Sequence, residues 1–433
     1  MNNLSLAVHF FAQIAVILLV CRVVGLVAKR FGQPQVVAEM IAGVMLGPSL
    51  FGLLAPEAQA WIFPWDPGQK ARDTQSYLFP ASQLGLALYM FVVGMEFRVD
   101  IVKKHFTSSV AVSAAGIVTP FVLGGLLGWA MKSWTDLFPA KTSLFEAVLF
   151  LGASMSITAF PMLARIIHFK GLAGTRMGTV AIGAGALDDA AAWCLLAIVL
   201  ASFEGNVAGA ATNVGGGVLF VAVMLLAVRP LLGWLSQWLF ERGSLTETGL
   251  VVALATMALG AFVTDAIGLH AVFGAFVAGS AIPRSVARDV ILRIQPLTVS
   301  LLLPLFFTYS GLNTKITLID SAFLWLMCGA VLVAAVAGKG VACWAAARLT
   351  GVPPREALGI GVLMNARGLM ELIIINIGLS KGIISPSLFA TLVIMAIVTT
   401  LMASPIFDRL VGKGFVGETT PEPELGGRAT ARP

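Results

Sequence analysis

Charge is what this sequence has least of. Only 12% of its 433 residues are Asp, Glu, Lys or Arg, against 58% hydrophobic. A soluble domain carries about twice that charged fraction, so a soluble fold is excluded. Cysteine is also scarce: Cys21, Cys194, Cys328 and Cys343 lie in apolar runs without the close pair spacing of a zinc site, and are read as packing residues. The four histidines, His9, His105, His168 and His270, fall at or near the ends of apolar runs with no metal-ligand spacing, and are read as interfacial residues. No cleavable-leader pattern is evident, because the first apolar stretch, 7 to 28, is long enough to remain as a span. Strand-like alternation of polar and apolar residues is missing too, and the 45 glycines suit close helix packing in lipid instead of a barrel.

What is present is a series of long apolar runs. A window of about twenty residues gives roughly thirteen spans, at 7 to 28, 35 to 54, 80 to 97, 107 to 131, 144 to 167, 177 to 202, 210 to 238, 246 to 266, 268 to 283, 295 to 312, 318 to 348, 355 to 380 and 384 to 405. The expected fold class is an all-α polytopic membrane protein, with a membrane domain over 1–412 and a polar, disordered cytoplasmic tail over 413–433. The odd-numbered loops and the C-terminal flank hold sixteen Lys and Arg residues, and the even-numbered loops six. That asymmetry predicts an N-terminus outside and a C-terminus in the cytoplasm. The net charge of +6 is therefore mostly topology, and no nucleic-acid partner is expected.

Against this background Asp188 and Asp189 stand out, adjacent in the run GAGALDDAAAWCLLAIVLAS. An ionised carboxylate near a bilayer centre costs several kcal/mol, so two neighbours there point to a proton or cation pathway. An intramembrane aspartyl protease also uses two such acids. Those come from different helices and need a Gly-x-Gly-Asp string, which this sequence lacks.

Two spans carry interruptions. In the fifth, Pro161 has no amide hydrogen and frees a carbonyl near Ile157, among the hydroxyls of Ser154, Ser156 and Thr158. Unwound backbone with a Thr hydroxyl offers the hard oxygen ligands an alkali cation takes; a proline kink satisfied by its own hydroxyls gives the same pattern. In the twelfth, the backbone is expected to unwind near Gly368, and Arg367 and Glu371 are four apart and positioned to neutralise one another. They read as a structural ion pair, with charge compensation for half-helix ends or direct ion coordination as the alternatives.

Lys339 lies in the eleventh span between Gly338 and Gly340. An intramembrane ammonium needs a carboxylate, and the glycines let another helix approach. Neighbouring residues on a helix point about 100° apart, so Asp188 and Asp189 cannot both face Lys339. One is expected to pair with it and the other to remain free for a cation. Glu39, in the second span, is read as a structural carboxylate as readily as a pathway residue, and Asp265 as a solvated cap or a cation funnel.

The strings GQPQVVAEMIAGVMLGPSLFG (32 to 52), LGLALYMFVVGMEF (84 to 97), SITAFPMLARI (156 to 166), ALDDAAAW (186 to 193), HAVFGAFVAGSAIP (270 to 283) and MNARGLMELIIINIGL (364 to 379) together resemble the second branch of the monovalent cation:proton antiporter superfamily. That branch includes bacterial sodium/proton antiporters and the membrane parts of potassium-efflux systems. The resemblance implies two inverted repeats, spans two to six and nine to thirteen, with the fifth and twelfth helices broken and crossed. It implies a core domain around spans 5, 6, 12 and 13 and a dimerisation domain around spans 2–4 and 9–11, in a homodimer of the bacterial inner membrane. Residue by residue, it implies that Asp189 binds the cation with Thr158, supported by Ser156, and that Asp188 pairs with Lys339, which carries a proton. An Asp-Asp pair, where some relatives have Asn-Asp or Gln-Asp, favours electrogenic exchange of Na+ or K+ for H+ without any cofactor. An electroneutral exchanger and a passive cation channel remain alternatives. The chain shows no Gly-rich nucleotide fingerprint after Asp408, so nucleotide regulation within this polypeptide is not expected.

Overall fold

The structure, a computed structural model, describes residues 3–33, 35–64, 75–96, 105–172, 174–203, 207–241, 244–312, 314 and 316–412. The expected disordered tail, 413–433, lies outside the described residues. Among the described residues nineteen α-helices follow one another: α1 (Asn3–Arg30), α2 (Gln35–Leu46), α3 (Phe51–Leu54), α4 (Pro56–Ile62), α5 (Gln75–Glu96), α6 (Phe106–Trp134), α7 (Leu144–Ser156), α8 (Phe160–Phe169), α9 (Arg176–Phe203), α10 (Val207–Val223), α11 (Arg229–Leu239), α12 (Glu247–Ala266), α13 (Ala271–Ala281), α14 (Arg284–Leu297), α15 (Leu303–Leu312), α16 (Ala322–Leu349), α17 (Pro354–Leu363), α18 (Leu369–Ser380) and α19 (Pro386–Leu410).

Each of the thirteen apolar runs is mainly helical over its described residues, but by length and composition only nine helical stretches among the described residues suffice to cross a membrane. Four runs are not among the nine. The fifth and twelfth are each split in two, the ninth is the 11-residue α13, and the sixth is the 28-residue α9 that carries Asp188 and Asp189. The seventh changes to a π-helical turn at Met224–Val228. The tenth continues from the polar α14 through Pro296 and a second π turn, Thr298–Leu302. Pro296 withholds the amide that would close onto Leu292, which is where such a ladder loosens. A two-residue antiparallel ladder, Phe240–Glu241 with Ser244–Leu245, is the one departure from an all-α chain among the described residues.

Glycines set the closest approaches, and they do so in a repeated pattern. A Cβ on Gly43 of α2 would lie 2.3 Å from Phe307 O of α15, and one on Gly311 would lie 2.1 Å from Gly43. In the counterpart pair, a Cβ on Gly94 of α5 would lie 2.0 Å from Phe276 O of α13, and one on Gly279 would lie 2.1 Å from Phe91 O. Span two thus seats on span ten as span nine seats on span three, the pairing that a two-fold relation between spans 2–6 and 9–13 requires. On the other side, α6 packs on α7, α9 and α16, and α16 also meets α17 and α19. The helices of spans four and eleven therefore gather around the broken helices.

Candidate functional site

Both interruptions fall where the sequence placed them. The fifth span is non-helical over Ile157, Thr158 and Ala159, between α7 and α8, and the twelfth over residues 364–368, between α17 and α18. Pro161 explains the first, because it offers no amide to the Ile157 carbonyl. The two unwound segments meet: the Ala159 amide donates to the Ala366 carbonyl at 3.3 Å.

Breaking a helix leaves partial charges at its new ends, and each end here is answered. At the C-terminal end of α7 the Lys339 ammonium donates to the Ser156 carbonyl, and Arg367 Nη1 lies 3.4 Å from the Ser154 carbonyl. At the N-terminal end of α8, the backbone amide of Phe160 faces Asp189. Glu371 occupies the first turn of α18. At the end of α17, Asn365 Nδ2 donates to the Gly361 carbonyl at 2.9 Å. The Arg367–Glu371 pair forms at 3.4 Å, although Arg367 itself lies in the break.

Asp188 and Asp189 sit on α9, both fully buried. Their environments differ, as 100° of rotation demands. Asp188 Oδ2 lies 3.3 Å from Lys339 Nζ and accepts from the Thr158 hydroxyl; Ser113 of α6 also faces it. Neither oxygen of Asp189 has a side-chain or backbone hydrogen bond of acceptable geometry among the described residues. The flanking glycines of Lys339 act as expected. A Cβ on Gly338 would meet Leu123 and Pro120 of α6, and one on Gly340 would lie 2.6 Å from Asn365 Nδ2.

Two candidates are oriented differently from their expected roles. The Thr158 hydroxyl is given to Asp188, so it does not stand beside Asp189 as a ready ligand. The Ser156 hydroxyl turns back to its own helix, donating to Gly152 O at 2.7 Å, and its carbonyl is the group that meets Lys339. Sequence reading missed Thr400. Its hydroxyl accepts from the Arg367 amide at 3.0 Å and lies 2.8 Å from the Arg367 carbonyl, pinning the second break to α19. The Thr399–Thr400 pair inside an apolar run was the available signal. Away from the crossing, Glu39 is buried at 2% exposure, Asp265 is exposed, and His270 Nδ1 caps α13 by accepting from the Val272 amide at 3.4 Å. The side chains of Cys194, Arg165 and His168 lie outside the described residues.

Three carboxylates, Asp188, Asp189 and Glu371, face two cations, Lys339 and Arg367, all buried around the crossing. With every group ionised, one negative charge is left over. A buried charge of that kind demands a counterion or a proton. A cavity of about 670 Å³ reaches Phe160 and Ala164 on α8, next to the Asp189 neighbourhood, and is lined elsewhere by Arg22, Lys29, Gln33, Tyr89 and Glu96.

Known proteins are similar to this chain over most of its length. The Na+/H+ antiporter NhaS4 of Synechocystis is 38% identical over 402 residues, covering 92% of this chain and 96% of NhaS4. The K+/H+ antiporter 1 of Saccharomyces cerevisiae is 33% identical over 423 residues, 94% of this chain but 46% of the yeast protein, so the chain spans about half that relative. The solved structure of the sodium proton antiporter MjNhaP1 from Methanocaldococcus jannaschii at pH 8 matches with a TM-score of 0.65 over 93% of this chain and 96% of that one, at 14% identity, a likeness of fold. Residues 15–413 match the family described as "Sodium/hydrogen exchanger, transmembrane". With 38% identity to NhaS4 along nearly its whole length and a family match from 15 to 413, the chain belongs to the sodium/hydrogen exchanger family.

Proposed function

We propose that this chain is a secondary antiporter in which one monovalent cation, Na+ or K+, and protons compete for Asp189, alternately exposed to the two sides of the membrane. The observation that carries the reading is the Asp189 carboxylate: buried, outside the Lys339 pair, faced by the Phe160 amide at the N-terminal end of a half-helix, and matching the one uncompensated negative charge of the site. A single cation or a single proton neutralises that charge, and the two exclude each other. Asp188, held by Lys339 and Thr158, keeps Lys339 in place, and opening of that pair lets the lysine carry a further proton. Thr158 and Ser156 supply oxygen ligands once Thr158 releases Asp188. Arg367 and Glu371 stabilise the broken ends. The family is one of transporters, and we infer no enzymatic chemistry and no cofactor for this chain.

The moving body in this reading comprises α6–α9 and α16–α19. We include spans four and eleven, which the resemblance groups with the dimerisation domain, because their packing runs to the broken helices. The panel of α2, α5, α13 and α15, seamed by glycines, is the static partner and the proposed homodimer surface. The Lys and Arg bias supports a multi-pass protein of the bacterial inner membrane with its N-terminus outside. The decisive test is proton flux in proteoliposomes against gradients of Na+, K+ and Li+, with the membrane potential clamped. Proton movement opposite to a cation gradient supports antiport; cation current without coupled proton movement means a channel.

A further inference from the structure

We propose that Gln33 and Ser404 form a clasp between the α1–α2 corner and α19 that holds the described conformation and opens once in each transport cycle. The inference rests on the antiport reading, in which α19 moves against α2.

The clasp originates in a proline. Pro405 lies inside α19 and has no amide hydrogen, so the Leu401 carbonyl one turn earlier loses its helical donor. Gln33 supplies the replacement, with Nε2 donating to Leu401 O at 2.8 Å. Beside it the Ser404 hydroxyl donates to the Gly32 carbonyl at 2.9 Å, so the bonds run in opposite directions across one seam. The corner is shaped for this. Gly32 takes a φ of +68°, a region that favours glycine, and the Gln33 amide closes the end of α1 onto Ala28 O at 3.1 Å. Gln33 is 7% and Ser404 1% exposed. Separating the surfaces therefore strips the part-buried Leu401 and Gly32 carbonyls of their donors until water replaces them. Gln33 also lines the cavity that reaches Phe160 and Ala164, which places the clasp at its rim.

The test uses the full chain in proteoliposomes. In Gln33→Cys/Ser404→Cys, oxidative cross-linking should lower cation-driven proton flux about tenfold or more, with recovery on adding a thiol reductant, while each single-cysteine variant is unaffected by the oxidant. A cross-linked protein that exchanges at the uncross-linked rate overturns the proposal. A second arm needs no cross-link. Losing one buried hydrogen bond of about 1–2 kcal/mol shifts a two-state ratio about tenfold. Gln33→Ala should thus change turnover at saturating cation while leaving the cation KM within about twofold, and Pro405→Ala, which restores a helical donor to Leu401, should make the Gln33 substitution nearly silent. Full additivity of the two substitutions overturns the clasp. If the wild-type protein exchanges no cation, the antiport reading fails separately. The clasp is then judged by thiol labelling of Ala164→Cys, whose rate should change about tenfold with Gln33→Ala; an unchanged rate overturns it.

Discussion

Lys339 and Asp188 form an ion pair at 3.3 Å in which both side chains are fully buried, while Asp189, the next residue, is left outside it. The division assigns different consequences to neighbouring substitutions.

In the proposed mechanism, Asp189→Asn removes the group that takes the cation and leaves the packing intact. Exchange should fall to the level of protein-free liposomes while the purified protein keeps its size and secondary structure. Exchange at even a tenth of the wild-type rate by a folded Asp189→Asn protein would remove the central claim.

Asp188→Asn and Lys339→Ala each strand a buried partner, which costs about 3–5 kcal/mol when a buried pair is broken. Both should lower the thermal midpoint in detergent. In a double-mutant cycle the pair should show a coupling of about 1–3 kcal/mol. Simple additivity would dissolve the pair as an energetic unit.

Competition for one carboxylate fixes the sign of the pH dependence. If protons hold Asp189 at low pH and exclude the cation, as proposed, flux should rise from acid toward alkaline conditions. Raising the cation should move the acidic limb to lower pH, by about one unit per tenfold cation when the cation dominates occupancy. A limb that stays fixed over a hundredfold range of cation would mean that protons act elsewhere.

Stoichiometry depends on Lys339. If its pair with Asp188 opens and the lysine exchanges a proton in each cycle, more than one proton moves per cation and transport is electrogenic. One uncompensated charge across 100 mV is worth about 2.3 kcal/mol, so an imposed potential should shift the cation gradient at which flux reverses. A reversal point indifferent to potential makes the lysine a static counterion and leaves Asp189 in its role.

The chemistry of the crossing was legible because it depends on local facts: Pro161 frees a carbonyl wherever it sits in a helix, Arg367 and Glu371 lie four apart, and two adjacent acids cannot share one lysine. The spans were legible as apolar runs, though their division into half-helices and π turns was only partly so. What the sequence withheld is partner choice across space. Nothing local says that Thr158 gives its hydroxyl to Asp188, that Lys339 takes a backbone carbonyl of Ser156, or that Gln33 travels 368 positions to satisfy the carbonyl that Pro405 exposes. Likewise, the gathering of spans four and eleven around the break depends on which glycine faces which neighbour, such as Gly124 and Gly128 against α7.

The bond from the Ala159 amide to the Ala366 carbonyl uses main-chain atoms alone. Side-chain drift at either position therefore leaves it available, provided the new side chain still fits. In the proposed mechanism, side chains around the crossing can change, and with them the preferred ion, without untying the two broken spans from each other.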